Sequence, residues 1–103
     1  MTQPEKVKYI IDKSVEYFGI TKERLLNDHG SRSGNQRIKR YIALILSEET
    51  ELTQQAIAEE ISVSNKDCVC VMLKKIREEL SDDFYGINKT KVVYRDLLKH
   101  IAG

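Results

Sequence analysis

The stretch from Thr53 to Leu80 constrains the fold most, because two apolar patterns with helical spacing follow one another there, separated by only a few residues. In the first pattern, Ala56, Ile57 and Ile61 recur on one side of a helix. Thr53 precedes them, and its hydroxyl can accept a hydrogen bond from a free amide of the first helical turn. The first pattern therefore predicts a short helix that begins just after Thr53.

The second pattern predicts a longer helix with one continuous apolar face. Its members fall at positions i, i+3, i+4, i+7 and i+11, and they are Val69, Met72, Leu73, Ile76 and Leu80. Residues 62–64 interrupt the helical spacing between the two patterns, and Ser64 with Asp67 forms an S-x-x-D start signal for the second helix. A short helix, a tight turn and a longer helix form the pattern by which a helix-turn-helix enters the major groove of DNA.

Residues off the apolar face of the second helix are the candidates for contact with DNA bases. This reading face consists of Lys66, Asp67, Cys70, Lys74 and Arg77. With the starts of both helices included, the candidate contacts are Thr53, Gln54, Ser64, Asn65, Lys66, Asp67, Cys70 and Lys74. Asp67 can accept a hydrogen bond from a cytosine amino group, and Lys66 can bind guanine or phosphate. The cations near the end of the second helix, from Lys74 to Arg77, have a simpler explanation, since they complement the helix dipole.

The formal net charge is only +1, but the charges are distributed unevenly along the chain. The basic segment, residues 29–40, contains no acid, and its cations are Arg32, Arg37, Lys39 and Arg40. The acidic residues that follow are Glu48, Glu49, Glu51, Glu59 and Glu60. This distribution predicts two faces of opposite charge. The basic one is either a phosphate-binding surface or simply a solvated one, and the acidic one is available to a protein partner.

The N-terminal part of the chain predicts two helical segments. Thr2 and Glu5 form a capping box that begins the first, and Gly19 can adopt the left-handed conformation that ends it. Thr21 then caps a short helical turn through Leu26. The next stretch, 27–35, is rich in glycine, serine and asparagine, which is typical of a surface loop.

Two further helices complete a bundle of about six. The stretch from about Gln36 to Ser47 is apolar around much of its circumference, which predicts the most buried helix. A link over residues 81–86 precedes a last helix that begins at Asn88 or Thr90. We expect its inward residues to be Val92, Val93, Leu97 and Ile101. At 103 residues, this pattern predicts one all-α domain, residues 1–103, with the two-helix unit at about 53–80.

Other function classes have little support in these residues. The longest apolar run, Tyr41 to Leu46, is too short to cross a bilayer, and no export segment is evident, so we expect a cytoplasmic protein with no membrane partner. Cys68 and Cys70 point in different directions on a helix, which disfavours a disulfide or a metal site. The glycine-containing loop lacks the spacing of a phosphate-binding loop. With no catalytic set evident, we expect neither an enzyme nor a cofactor, metal or nucleotide.

Several segments taken in chain order resemble one family. They are Val15-Glu-Tyr-Phe-Gly-Ile20 with Leu25-Leu26, then Arg40-Tyr-Ile-Ala43, Leu52-Thr53 with Ile57, and Val69 to Ile76. From about Val7 to Ile101 the chain is similar to the DNA-binding C-terminal domain of the bacterial replication initiator DnaA. The resemblance implies a Trp-repressor-like helical fold, a helix-turn-helix in the major groove, and an arginine of the basic loop in the minor groove. That arginine corresponds to Arg32, or to Arg37 in a shifted alignment.

The resemblance weakens at the base-reading positions. Where the family has Arg-Asp-His-Thr-Thr-Val, this chain has Ser64-Asn-Lys-Asp-Cys-Val69. We therefore expect sequence-specific binding to double-stranded DNA with a different preferred site. The alternatives are a protein-interaction module that has lost DNA binding and a small phage- or mobile-element-type transcriptional regulator. A register typical of ordinary repressors, with Ser62 in place of a glycine, also fits and would turn Cys68 rather than Val69 to the core.

Overall fold

The computed structural model describes residues 2–27, 34–81 and 89–103, and those residues form helices joined by short connections, with no strand among them. The helices are α1 (Gln3–Phe18), α2 (Lys22–Asn27), α3 (Gly34–Glu49), α4 (Gln54–Glu60), α5 (Lys66–Ser81) and α6 (Lys89–Ala102). The Cα radius of gyration is 13.1 Å, close to the ~13 Å expected of a folded chain of this length. The predicted all-α class is confirmed.

Helix α3 is the centre of the core, as its apolar circumference predicts. Six consecutive residues from Tyr41 to Leu46 are buried, so every side of this part of the helix faces another element. It packs against α1, α4 and α5, and Leu97 of α6 is buried in the same cluster. A helix that is apolar on all sides is stable only when its neighbours cover all of those sides.

Two of the three helix caps predicted in the N-terminal part of the chain are confirmed. Gly19 has φ of 69° and its amide donates to the Glu16 carbonyl, which ends α1 in the left-handed conformation that glycine adopts without strain. Thr21 Oγ1 accepts from the Arg24 amide at 3.1 Å at the start of α2. The capping box at Thr2 is wrong, since its side chain makes no cap bond. Instead, Gln3 Oε1 accepts from the Glu51 amide at 3.0 Å, which ties the start of α1 to the chain after α3.

An aromatic cluster, consisting of Tyr17, Phe18, Tyr41 and His100, joins α1, α3 and α6. The rings of Phe18 and Tyr41 stack with centroids 5.8 Å apart, and Tyr17 meets Phe18 edge-on at 5.0 Å. His100 lies 5.8 Å from the Tyr17 ring. Nearby, the hydroxyl of Tyr9 donates to the Ile101 carbonyl at 2.9 Å, so α6 is fixed along α1. Aromatic pairs in these arrangements add to the stability gained from burial alone.

The last helix begins at Lys89, and its inward residues differ from the prediction at one position. Leu97 is buried, and Val93 and Ile101 pack against the core, but Val92 is 52% exposed. Adjacent positions on a helix point about 100° apart, and the stripe that includes Thr90 and Leu97 leaves Val92 on the outside. Both ends of the predicted loop 27–35 are helical instead, because Asn27 ends α2 and α3 already begins at Gly34. Arg32 and His29 lie outside the described residues, as does 82–88.

Candidate nucleic-acid interface

Helices α4 and α5 form the two-helix unit that the sequence predicts. Thr53 Oγ1 accepts from the Ala56 amide at 3.1 Å, which confirms the predicted cap. Ile57 and Ala58 of α4 are buried, and the two helices pack extensively against each other and against α3. A small residue such as alanine at this crossing lets two helices approach closely.

The turn between α4 and α5 is closed by its own backbone. The Ile61 amide donates to the Ile57 carbonyl at 3.0 Å, and the Val63 amide donates to the Ala58 carbonyl at 2.9 Å. Ser62 between them has φ of 58°, the left-handed conformation that such helix ends require. Glycine is the residue that usually occupies this position, so a serine here holds some backbone strain.

The start of α5 differs from its prediction by one residue. Asn65 Oδ1 accepts from the Cys68 amide at 3.1 Å, so Asn65, and not Ser64, caps the helix. The reason is that α5 begins at Lys66, which leaves Ser64 one residue too early to reach the amides of the first turn. Asparagine is as favourable a cap as serine, and the sequence alone does not separate them.

In α5, Val69 rather than Cys68 faces the core. Val69 is completely buried, Met72, Leu73 and Ile76 are buried too, and Leu80 packs against the core. Cys68 is half-buried and Cys70 is exposed, both as free thiols. The alternative register, in which Cys68 replaces Val69 in the core, is therefore not the one adopted.

All five residues of the reading face are exposed. Two grooves flank this side of α5. The helix groove includes Gln54 with Cys70, Lys74 and Arg77 in its lining. The turn groove is lined by residues around the turn and by one residue of α3, namely Gln36, Ser62, Ser64, Asn65, Asp67 and Val71 among others. The structure thus brings most of the predicted contacts of α4 and α5 together around the exposed side of α5, with Thr53 exposed at the start of α4.

Two residues of this surface were not among the predicted contacts. Val71 is 52% exposed and lies one helical turn after Asp67 on the outer side of α5. Its position off the apolar stripe was the available signal. Gln36 lies beside the turn groove, but nothing in the sequence pairs it with the turn, since the two are far apart along the chain.

A polar network of Arg37, Arg40, Glu79 and Thr90 joins α3, α5 and α6. Arg40 Nη1 lies 3.3 Å from Glu79 Oε1, and Arg37 Nη2 lies 4.0 Å from Glu79 Oε2. Thr90 is buried, and its hydroxyl accepts from Arg37 and donates to Glu79, each at 3.1 Å. Two cations of the basic segment therefore face a carboxylate of the same molecule, an arrangement that their sequence positions do not reveal.

Lys39 contradicts its prediction, because the basic segment predicts a surface position and the side chain is buried. Its relative exposure is 0%, and its Nζ lies 3.4 Å from the carbonyl oxygen of Ser62. The cause is its place on α3, where Ile42, Ala43 and Leu46 follow at i+3, i+4 and i+7 and are all buried. Lys39 thus occupies a core position and does not contribute to an exposed basic surface.

The five acidic residues from Glu48 to Glu60 are exposed. One of them is engaged, because the hydroxyl of Tyr94 donates to Glu48 Oε2 at 2.9 Å. Burial of the phenol, and then its hydrogen bond to Glu48, raise the pKa of Tyr94 well above its usual value of 10.0. This contact ties α6 to the last turn of α3.

Within 2–27, 34–81 and 89–103, no three histidine, cysteine or acidic side chains are grouped so that they could hold a metal ion. None of the described helices is both long and apolar enough to cross a bilayer. Comparisons of the chain with protein-family models, with curated proteins and with solved structures found no match in any of the three. The local geometry and the residues themselves are therefore the basis for a functional assignment.

Proposed function

We propose that this protein binds double-stranded DNA through α4 and α5, with the exposed side of α5 in the major groove. The observation that carries the proposal is the ridge of α5 between the helix groove and the turn groove. It presents polar and charged side chains on one side of a helix whose other side is buried. A helix of about 10–12 Å in diameter fits the B-DNA major groove, which is ~12 Å wide.

The first two turns of α5 supply the side chains for base recognition. Asp67 accepts hydrogen bonds and suits a cytosine amino group, while Lys66 suits guanine or a phosphate. Val71, exposed on the same side, offers an apolar contact of the kind that thymine methyl groups receive. The side-chain oxygen of Asn65 accepts the cap bond, so the side-chain NH₂ group remains to donate to a base.

The start of α3 supplies the phosphate contacts in this proposal. Gln36 lines the turn groove, so the first turn of α3 borders the surface that includes the start of α5. Arg37 follows it directly, and 54% of its side chain is exposed. Phosphate contacts of this kind set position and affinity without reading sequence. Arg32 and the proposed minor-groove contact lie outside the described residues.

We extend the proposal to descent from DNA readers of replication initiators. Its support is the resemblance of the scaffold segments, together with a core register that matches the one the resemblance implies at Val69. The base-facing residues from Ser64 to Cys68 differ from the family pattern. The preferred DNA site therefore differs from the family's site under this proposal.

A selection on randomised duplex DNA at low salt tests the function directly. The expected result is enrichment of a defined site, with affinity that falls steeply as salt is raised. Lys66→Ala and Asp67→Ala should change the preferred bases, while Lys8→Ala, which removes an exposed cation from α1, should leave the preference as it is. If no duplex is bound at low salt, the proposed function is wrong.

A second candidate, a protein-interaction module on the same fold, is favoured by one observation. Arg37 and Arg40 face Glu79, and Lys39 is buried, so the attraction of these three cations for phosphate is reduced. The exposed Glu59 and Glu60 near the turn would then attract a basic partner surface. Under this candidate, Glu59→Gln with Glu60→Gln weakens binding of a lysine-rich peptide, and no duplex binds at low salt.

A further inference from the structure

Lys39 is the one buried lysine among the described residues, and the proposed DNA contacts do not use it. Its side chain starts from the apolar face of α3, where the next residues on that face, Ile42 and Ala43, have 0% exposure. A lysine can leave its methylene groups in such a core only if its amine reaches a polar partner. Lys39 Nζ reaches the carbonyl of Ser62 at 3.4 Å.

The carbonyl that Lys39 reaches belongs to the residue on which the turn between α4 and α5 depends. Ser62 is the only non-glycine residue with positive φ in the described part of the chain. The left-handed conformation is unfavourable for an L-residue, so a serine there needs support from its surroundings. An amine donor in a low-dielectric setting supports the carbonyl of that same residue.

We propose that Lys39 is a positioning residue that locks the turn after α4 and so holds α5 at a fixed angle to α3. Helix α5 has 16 residues and is about 24 Å long. Lys39 acts on the turn before its start, and Arg40 holds Glu79 near its end. Neighbouring residues of α3 thus hold both ends of α5.

The lock has a consequence for DNA binding, and that part rests on the proposed function. Base contacts from α5 and phosphate contacts from the start of α3 must fit one duplex at the same time. A turn that samples other conformations leaves α5 correctly placed for only a fraction of the time. The apparent affinity falls by that fraction.

The test compares wild type with Lys39→Met, Ser62→Gly and the double variant. Methionine has a similar length and no donor, and it suits the apolar surroundings, so the urea midpoint should stay close to wild type. The exchange rate of the Val63 amide should rise about tenfold in Lys39→Met, and affinity for the selected duplex should fall about tenfold. Lys8→Met, which removes an exposed lysine of α1, is the control and should change neither.

Ser62→Gly is the rescue variant, because glycine adopts the left-handed conformation without support. In that background, Lys39→Met should change exchange and affinity by less than about threefold, so the two substitutions are coupled. The proposal is wrong if Lys39→Met lowers affinity equally in the Ser62 and Ser62→Gly backgrounds. It is also wrong if the Val63 amide exchanges at the same rate in Lys39→Met as in Lys8→Met. If Lys39→Met does not fold, Lys39→Gln, which is too short to reach the turn, replaces it with the same expected results.

The two proposals fail in different ways. If wild type binds no duplex, the proposed function is wrong, and the exchange measurement alone decides whether Lys39 locks the turn. If wild type binds a duplex but Lys39→Met binds it equally well, DNA binding stands and the positioning role is wrong.

Discussion

Arg40 and Glu79 are 39 positions apart in the chain, yet the guanidinium Nη1 lies 3.3 Å from the carboxylate Oε1. Glu79 also lies 4.0 Å from Arg37, so one carboxylate faces two cations at the start of α3. A phosphate group would compete with this carboxylate for the same donors. Under the proposed function, the ion pair therefore lowers the affinity of this end of the molecule for DNA.

Glu79→Gln should strengthen duplex binding about three- to tenfold, because Arg37 and Arg40 become available to phosphates. The salt dependence should steepen by about 0.9 in log–log slope for each additional phosphate contacted. The pair is partly exposed, so the free energy of unfolding should fall by less than about 1 kcal/mol. Titrations at several salt concentrations measure the first two quantities.

Asp12→Asn is the matched control for that experiment. It removes the same charge from an exposed position in the middle of α1. If it strengthens binding as much as Glu79→Gln does, the effect is one of net charge, and the ion pair does not restrain the arginines.

Ser62→Gly should stabilise the protein by about 0.5–1 kcal/mol, because glycine adopts φ of 58° without strain. Gly19→Ala should do the opposite at the end of α1, with a loss of about 1 kcal/mol. An added Cβ at Gly19 meets no atom within 4 Å, so the loss there comes from backbone conformation alone. Urea unfolding of both variants gives the two free energies of unfolding. A lower free energy of unfolding in Ser62→Gly would show that Ser62 is not strained.

Asn65→Ala should lower the free energy of unfolding by about 1 kcal/mol, because it removes the acceptor for the Cys68 amide. Ser64→Ala is the neighbouring control and should change it by less than about 0.5 kcal/mol. Thermal unfolding followed by circular dichroism distinguishes the two. A larger effect at Ser64 would show that the capping residue is the one predicted from the sequence.

Tyr94→Phe should change how stability depends on alkaline pH. The raised pKa of Tyr94 means that the folded state keeps the phenol proton at pH values where the unfolded state releases it. The stabilising contribution is therefore complete below pH 10 and is lost as pH rises above it. Tyr94→Phe should make this alkaline decline shallower, and it should lower stability at neutral pH by about 1 kcal/mol through loss of the bond to Glu48.

Unfolding free energies measured from pH 7 to 11 test this dependence. Burial also raises the pKa of Tyr17, so some decline remains in the variant. Parallel curves for wild type and Tyr94→Phe would contradict the assignment of the alkaline effect to Tyr94.

Features governed by one helix at a time could be predicted from the sequence. The apolar stripe of α5, the caps at Thr21 and Thr53, and the end of α1 at Gly19 all depend on residues within a few positions of one another. The periodicity of a helix, about 3.6 residues per turn, and the geometry of its ends are local properties. The arrangement of the candidate contacts on α5 follows from the same periodicity.

Features that depend on contacts between helices could not be predicted in the same way. The charged neighbours of Lys39 predict a basic surface, although its spacing to Ile42 and Ala43 places it on a core face. Its role depends on a carbonyl 23 positions away. The pairing of Arg40 with Glu79 likewise requires the packing of α3 on α5. Charge along the chain shows where cations occur, but only the tertiary structure shows which of them face water.

The aromatic cluster has a practical consequence for spectroscopy. The chain contains no tryptophan, and every aromatic side chain in the described residues lies on α1, α3 or α6. Near-ultraviolet signals from this part of the chain therefore report the packing of the scaffold and carry no direct information about α5. A single tryptophan introduced on the exposed side of α5 would be the sole indole in the protein. Its emission would follow movements of that helix to which the aromatic side chains of the described residues do not respond.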